Sequence, residues 1–93
     1  MRIHIVPGVN LRAAASDLRK TGLVAIDDIA ERSWEELFSY IIDELGHDAD
    51  ELELRTQRIE TRFGPVFVLR EADRWTAAKA KKAVLDVRYP KEV

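Results

Sequence analysis

The amino-acid sequence predicts a single small α+β domain, in which helices pack on a small, mainly antiparallel sheet. Its 93 residues, of which 46% are hydrophobic and 34% charged, are enough for one globular core and too few for two. Along the chain, the spacing of apolar residues switches between the period of a helix and that of a strand. The predicted order is strand, helix, short element, helix, β-hairpin and helix, with residues 1–93 forming one domain.

A strand and a helix are predicted at the start of the chain. Residues 2–6 alternate polar and apolar side chains, with Ile3 and Ile5 on one face, and the Pro-Gly pair that follows ends the strand. Asn10 is suited to cap a helix, because its side chain can accept from exposed backbone N–H groups. Gly22 provides the left-handed residue that ends this helix. Its apolar residues recur at helical spacing: Leu11, Ala14, Ala15 and Leu18.

The next segment has two interpretations. Residues 23–26 form a short apolar run, which is typical both of a buried strand and of the start of a helix. Asp27 and Asp28 favour a turn or a helix cap directly afterwards, with a single helical turn at residues 29–30. Periodicity does not separate strand from helix at this length, so both interpretations stay open.

A helix over residues 33–45 is the clearest prediction. Ser33, with Glu36 three residues later, matches a capping box, and Gly46 ends the helix. One side is apolar and consists of Trp34, Phe38, Ile41, Ile42 and Leu45. The other side is mostly acidic and consists of Glu35, Glu36, Asp43 and Glu44. The pattern predicts an amphipathic helix whose acidic face is in contact with solvent.

A β-hairpin is predicted next, because apolar and polar residues alternate with the period of a strand. The phase of the alternation changes part-way, which predicts a bulge at residues 56–58 that returns Ile59 and Phe63 to the core. The Gly-Pro pair at residues 64–65 predicts the turn. Residues 66–69 are a continuous apolar run, which is typical of a central strand.

The last predicted element is a helix over residues 74–87, with Asp73 as its cap and Tyr89 and Pro90 at its end. Small apolar residues form a face suited to close packing on a sheet: Ala77, Ala80, Ala83, Val84 and Val87. Trp75 lies off this face. Its position fits both a half-buried core residue and an exposed anchor for a partner.

The net charge of −2 conceals an asymmetry between the two halves of the chain. Residues 1–54 carry five basic and twelve acidic residues, whereas residues 55–93 carry ten basic and five acidic residues. Residues 33–54 contain eight carboxylates and no Lys or Arg. Either pole can attract an oppositely charged partner, or the two poles can face and neutralise each other in the folded domain.

Several classes of function are excluded by what the sequence lacks. With no cysteine, the chain has no disulfide, thiol nucleophile or cysteine zinc site. Its four glycines are far apart, so it has neither a P-loop nor a dinucleotide-binding loop, and we predict no cofactor. No apolar run reaches the roughly 18–20 residues of a membrane span, and no signal peptide is evident. We therefore expect a cytoplasmic protein with no membrane partner.

Candidates for catalysis or metal binding are weak. Neither His4 nor His47 is matched with a serine in a nucleophile context, because the serines cap or lie within predicted helices: Ser16, Ser33 and Ser39. The acidic residues after His47 match no metal-loop spacing and are explained by a solvated loop: Asp48, Asp50 and Glu51. A small-ribonuclease site would have to use hairpin residues that more often protect an edge strand: Arg55, Arg58, Glu60, Arg62 and Arg70. We expect a non-enzymatic protein without a metal site.

A nucleic-acid-binding role is the alternative that the element order raises. In a winged-helix arrangement, residues 27–32 would form the second helix, residues 33–45 the recognition helix and residues 52–70 the wing. The acidic face of that recognition helix would be repelled by a major groove lined with phosphates. Binding would instead have to use basic residues of the hairpin and the last helix: Arg55, Arg58, Arg62, Lys79 and Lys82.

The leading hypothesis is a protein-binding module that contacts a basic partner through its acidic helical face. The predicted contact residues are Glu36, Tyr40, Asp43, Glu44, Asp48 and Asp50. A sharper version is a regulatory inhibitor or adaptor of the kind that phages and mobile elements encode, whose acidic face occupies the nucleic-acid groove of a host protein. A monomer and a homodimer are both compatible with so small a core.

Overall fold

The structure, a computed structural model, describes residues 3–29 and 33–90. Within these residues it confirms the predicted α+β fold and the predicted order of elements. The elements are β1 (Ile5–Pro7), α1 (Leu11–Thr21), β2 (Leu23–Asp27), α2 (Trp34–Leu45), a 3-10 helix (Gly46–Glu51), β3 (Leu54–Thr61), β4 (Gly64–Glu71) and α3 (Ala77–Arg88). No helix in this part of the chain is long and apolar enough to cross a membrane.

The four strands form one mixed sheet with the order β1-β2-β4-β3. β1 is parallel to β2, and the other two pairs are antiparallel. The structure resolves the open interpretation of residues 23–26 as a strand. β2 lies inside the sheet, and helices cover both of its faces, so residues 23–26 are all buried.

Two hydrophobic cores lie on opposite faces of the sheet. The first lies under α1 and α2 and includes Leu18, Val24, Ile26, Ile41 and Leu69. The second lies under α3 and includes Leu23, Ala25, Val68, Ala80 and Val84. The domain therefore has three layers, with two helices on one side of the sheet and one on the other.

The predicted bulge in β3 is wrong. The register between β3 and β4 runs without interruption from Leu54 opposite Glu71 to Thr61 opposite Gly64. The phase of the apolar pattern changes because Leu54 packs against the first core, whereas Ile59 belongs to the second. One strand serves two cores, so no extra residue is needed.

The hairpin turn also differs from the prediction. It lies at residues 62–63, and Gly64, with φ 102°, is the first residue of β4. Pro65 lies within β4, where its missing N–H is tolerated because β2 pairs with β4 only as far as Phe67. Phe63, predicted to return to the core, is 67% exposed at the turn.

The predicted caps have mixed outcomes. In α1, the Asn10 side chain accepts from the Ala13 N–H at 3.2 Å, and Gly22 ends the helix with φ 75°, as predicted. In α2, the predicted capping box is wrong. Ser33 already has helical dihedrals, and its side chain makes no capping hydrogen bond with any described residue.

Helix α3 begins later than predicted. Residues 72–74 form a turn in which the N–H groups of Arg74 and Trp75 donate to the Glu71 carbonyl. Asp73 lies within this turn and does not cap the helix. The cap is Thr76, whose side chain accepts from the Lys79 N–H at 3.2 Å. Trp75 proves to be a half-buried core residue, since it packs against the second core and its Nε1 donates to the Thr21 carbonyl at 2.7 Å.

At the start of the chain, Ile3 is buried and Ile5 packs against the same core, which confirms that they share a face. The strand itself begins at Ile5, and Arg2 lies outside the described residues. The helical turn predicted at residues 29–30 lies only partly within the described residues, and residues 31–32 lie wholly outside them.

Candidate functional site

Helix α2 presents a well-defined outer face because its inner face is fixed by packing. Leu37, Ile41 and Leu45 are buried, and their spacing of four residues places them along one stripe. Leu37 was missing from the predicted apolar side, although the same spacing would have identified it. The burial of this stripe leaves the opposite side of α2 in contact with solvent: Glu35, Glu36, Ser39, Tyr40, Asp43 and Glu44.

Tyr40 is the centre of this outer face, with 60% of the residue exposed. Glu36 lies four residues before it and Asp43 three residues after it, so both carboxylates border the ring on the helix surface. Together with Ser39 they line a shallow depression of about 340 Å³. We call the set Glu36, Tyr40 and Asp43 the acidic–aromatic patch.

A second depression lies between α2 and strand β3. It is lined by Trp34, Glu35, Phe38, Ser39 and Thr56, and its volume is about 420 Å³. Trp34 is held in place by stacking on Phe67 of β4, with 5.2 Å between the ring centroids. We call this depression the α2–β3 groove. Ser39 lines both depressions, so they adjoin each other.

The structure brings together only part of the predicted acidic set. Glu44 is on the same helix, near α1, and its backbone carbonyl accepts a hydrogen bond from Arg19. Asp48 lines a different cleft, of about 380 Å³, together with Arg19 and Arg74. Asp50 is exposed on the 3-10 helix. Asp48 and Asp50 therefore do not belong to the acidic–aromatic patch.

The carboxylates of α2 differ from the other charges of the domain. Within residues 3–29 and 33–90, no ion pair involves Glu35, Glu36, Asp43 or Glu44. The ion pairs that form neutralise basic residues of the second half: Arg55, Arg58, Arg74, Lys82 and Arg88. Two of these pairs, Arg55 with Glu53 and Arg88 with Asp27, join the basic half to the acidic half. None of them reaches α2, so within the described residues the α2 carboxylates keep their negative charge uncompensated.

The predicted basic set is divided between different surfaces. Arg58 lies on the face of the sheet that α1 and α2 cover, since its guanidinium is 5.9 Å from the Phe67 ring. Arg55 is three residues away in the same strand and therefore lies on the opposite face, where α3 carries Lys79 and Lys82. Arg62 lies at the hairpin turn, 4.7 Å from the Tyr89 ring. These residues do not form one continuous surface.

The hairpin turn is attached to the end of α3. The Arg62 N–H donates to the phenolic oxygen of Tyr89 at 2.7 Å, and the rings of Phe63 and Tyr89 stack at 6.1 Å. This hydrogen bond and the adjacent guanidinium of Arg62 favour the tyrosinate. They hold the pKa of Tyr89 below its ordinary value of 10.0.

We expect Tyr89 to ionise at a lower pH in the folded protein than in the unfolded chain. Because its folded pKa is lowered, the contribution of this contact to stability grows as the pH rises through that pKa and is lost as the pH falls. Ultraviolet absorbance of tyrosinate measures the midpoint, in a Tyr40→Phe background that leaves Tyr89 as the reporter. Equal midpoints in buffer and in concentrated urea would contradict the assignment.

Histidine and acidic side chains do not assemble a metal site in the part of the chain that the structure describes. His4 and His47 are both exposed. Comparison with models of known protein families, with curated proteins and with solved structures found no match. The candidate site therefore rests on its own geometry, which is an exposed aromatic ring between carboxylates on a rigid helix.

Proposed function

We propose that this protein is a non-enzymatic module that binds a partner protein with a basic surface through the acidic–aromatic patch of α2. One observation carries the proposal, which is that Tyr40 is exposed between carboxylates that have no ion-pair partner among the described residues. Exposed aromatic residues with low conformational entropy are typical anchors of protein interfaces.

The chemistry of the patch favours arginine or lysine on the partner. A guanidinium over the Tyr40 ring would gain a cation–π interaction and at the same time donate to Glu36 or Asp43. Because α2 is anchored by three buried side chains, the patch is held rigid before binding, so little ordering is needed on this side of the interface. The carboxylates also speed the encounter with a basic partner.

The proposal includes a role as a regulatory inhibitor or adaptor that occupies the nucleic-acid groove of its partner. A row of carboxylates along 12 residues of helix supports it, because such a row presents negative charge to a groove that normally receives phosphates. The nucleic-acid-binding alternative has less support. Its residues lie on different surfaces, and three of them, Arg55, Arg58 and Lys82, already form ion pairs.

The test of this proposal is a charge reversal on α2. We expect Glu36→Lys, Asp43→Lys and Glu44→Lys together to abolish the capture of basic partner proteins by the immobilised protein. Tyr40→Ala alone should weaken capture about tenfold or more, as the loss of an interface anchor does. Both variants should keep the fold, because all four side chains are exposed.

A matched control makes the same charge change elsewhere, with Glu53→Lys, Asp73→Lys and Asp86→Lys, and should capture partners normally. Equal capture by the two triple variants would refute the role of the patch. Labelled DNA and RNA, titrated by fluorescence anisotropy, test the alternative. Salt-sensitive binding that is lost on replacing Arg55, Arg58 and Arg62 with alanine would favour a nucleic-acid role instead.

A further inference from the structure

Strand β3 is an edge strand, and the described residues place no strand on its outer side. Along eight residues, its inner side is paired with β4 in a continuous antiparallel ladder. An edge of this length is a template for the addition of another extended segment. The other edge strand, β1, has only three residues and offers much less.

The direction of the β3 main-chain groups follows from the register. The Glu53 carbonyl accepts from the Ala72 N–H at 2.8 Å, in line with the β3–β4 register. Hydrogen-bonded residues alternate along an antiparallel strand. The main-chain N–H and C=O groups of the odd-numbered residues of β3 therefore bond to β4, and those of the even-numbered residues point away from β4. The outward carbonyl of Leu54 already accepts a hydrogen bond from the Arg55 guanidinium at 3.1 Å. Thr56 is therefore the first outward position at which a new strand would gain both hydrogen bonds.

Thr56 also lines the α2–β3 groove. Leu54 is on the same face of the strand and packs against the first core, so the side chain of Thr56 is on the α2 side of the sheet. A segment paired with β3 at Thr56 would place every second side chain on this side, next to Trp34 and Phe38. The outward main chain and the apolar groove thus lie at one place.

The negative charge around the groove favours a basic segment as the occupant. Glu35 lines it, and Glu36 and Asp43 lie in the adjoining depression across Ser39. Arg58, the nearest basic residue of β3 on this face, pairs with Glu60 at 2.7 Å and lies over the Phe67 ring. An apolar side chain in the groove with basic side chains beside it would match these surroundings.

We propose that β3 and the α2–β3 groove together bind an extended basic segment of a partner protein, which adds to the sheet as a fifth strand. The segment carries an apolar residue for the groove and lysine or arginine two residues away on the same face. This inference rests on the proposed protein-binding function, and it specifies the form of the partner at the same acidic surface.

A second copy of this chain is a poorer occupant of the edge. Symmetric pairing of two β3 strands around a two-fold axis would bring two copies of α2 to the same side of one sheet. Each copy carries the four α2 carboxylates that lack ion pairs within the described residues. Like charges at that junction oppose self-association and favour a basic segment.

The experiment uses a fluorescein-labelled peptide, Lys-Thr-Lys-Thr-Leu-Thr-Lys-Thr with blocked ends, titrated with the full chain by fluorescence anisotropy. We expect binding that Thr56→Pro weakens about tenfold or more, because proline removes the outward N–H and restricts the local backbone. Thr56→Val keeps the N–H and the shape of the side chain, and should bind within about twofold of the native protein. The β3–β4 ladder does not use the Thr56 N–H, so the proline variant retains that pairing.

A second measurement does not depend on the folding of any variant. The same peptide with N-methyl groups on alternate residues loses main-chain donors on one edge, and we expect one of its two methylation registers to abolish binding. In the native protein, peptide binding should slow hydrogen exchange of the Thr56 amide. A peptide with glutamate in place of lysine should not bind.

Three outcomes would overturn the inference. If both N-methylated forms of the lysine peptide bind as tightly as the unmethylated peptide, strand addition is wrong. The proposed function would still stand in that case, provided that the α2 charge-reversal variant has lost its partners. If the native protein does not bind the lysine peptide but captures basic proteins through α2, the partner does not bind as a strand. If light scattering shows a dimer that Thr56→Pro dissociates, a second copy occupies the edge.

Discussion

Replacing Leu69 with alanine is expected to lower the free energy of unfolding by about 3–4 kcal/mol, and replacing Val68 should lower it by roughly 2 kcal/mol. The two residues are adjacent in β4 and fully buried, but they face different cores, Leu69 towards α1 and α2 and Val68 towards α3. Both losses reflect the removal of buried methyl groups and the cavity left behind. Urea denaturation followed by circular dichroism measures them.

The comparison tests the three-layer arrangement directly. On a sheet with one covered face, one of two adjacent strand residues would be exposed, and its replacement would cost little. Val87→Ala in α3 is the control, because Val87 is 36% exposed and should lose no more than about 0.5 kcal/mol. A value for Val68→Ala as small as that of the control would show that α3 does not pack on the sheet in solution.

The helices could be predicted because their signal is local. In α1, the apolar spacing, the Asn10 cap and the Gly22 stop are all within one segment, and each is observed. Residues 23–26 could not be assigned, because a strand buried on both faces loses the alternation that distinguishes it from a helix. That burial depends on α3, which is some 50 residues further along the chain.

The predicted bulge had a further consequence for the candidate sites. In a strand bulged at this point, one residue would be left out of the alternation. Arg55 and Arg58 would then share a face and form a basic surface. In the uninterrupted strand, a separation of three residues puts them on opposite faces. The bulge was inferred by assuming one core. The second core makes it unnecessary, and without it Arg55 and Arg58 do not share a face.

The acidic–aromatic patch could be predicted because helical spacing alone places Glu36, Tyr40 and Asp43 together. Asp48 and Asp50 could not be placed, because they follow Gly46 and their position depends on the 3-10 helix that comes next. The α2–β3 groove was also missed. It brings Thr56 beside Phe38 only because β3 is the outer strand of the sheet, which is a property of the strand order rather than of any local pattern.

Replacing Arg88 with alanine is expected to lower the free energy of unfolding by about 2–3 kcal/mol. Arg88 at the end of α3 forms an ion pair with Asp27 at the end of β2, and their side chains are only 20% and 19% exposed. Removing one partner leaves the other as a largely buried, uncompensated charge. The guanidinium also lies 5.7 Å from the Phe63 ring, so the hairpin turn loses a contact as well.

A double-mutant cycle separates the ion pair from the packing of the arginine stem. Asp27→Ala alone should also destabilise, whereas the double variant should lose clearly less than the sum of the two single losses, because neither charge is then left buried alone. The exposed pair of Lys82 and Asp86, with side chains 77% and 58% exposed, is the matched control and should show a coupling of no more than about 0.5 kcal/mol. Additive losses for Arg88 and Asp27 would mean that the ion pair itself does not help to hold α3 on the sheet. The pair would then not contribute to fixing the hairpin turn against β2.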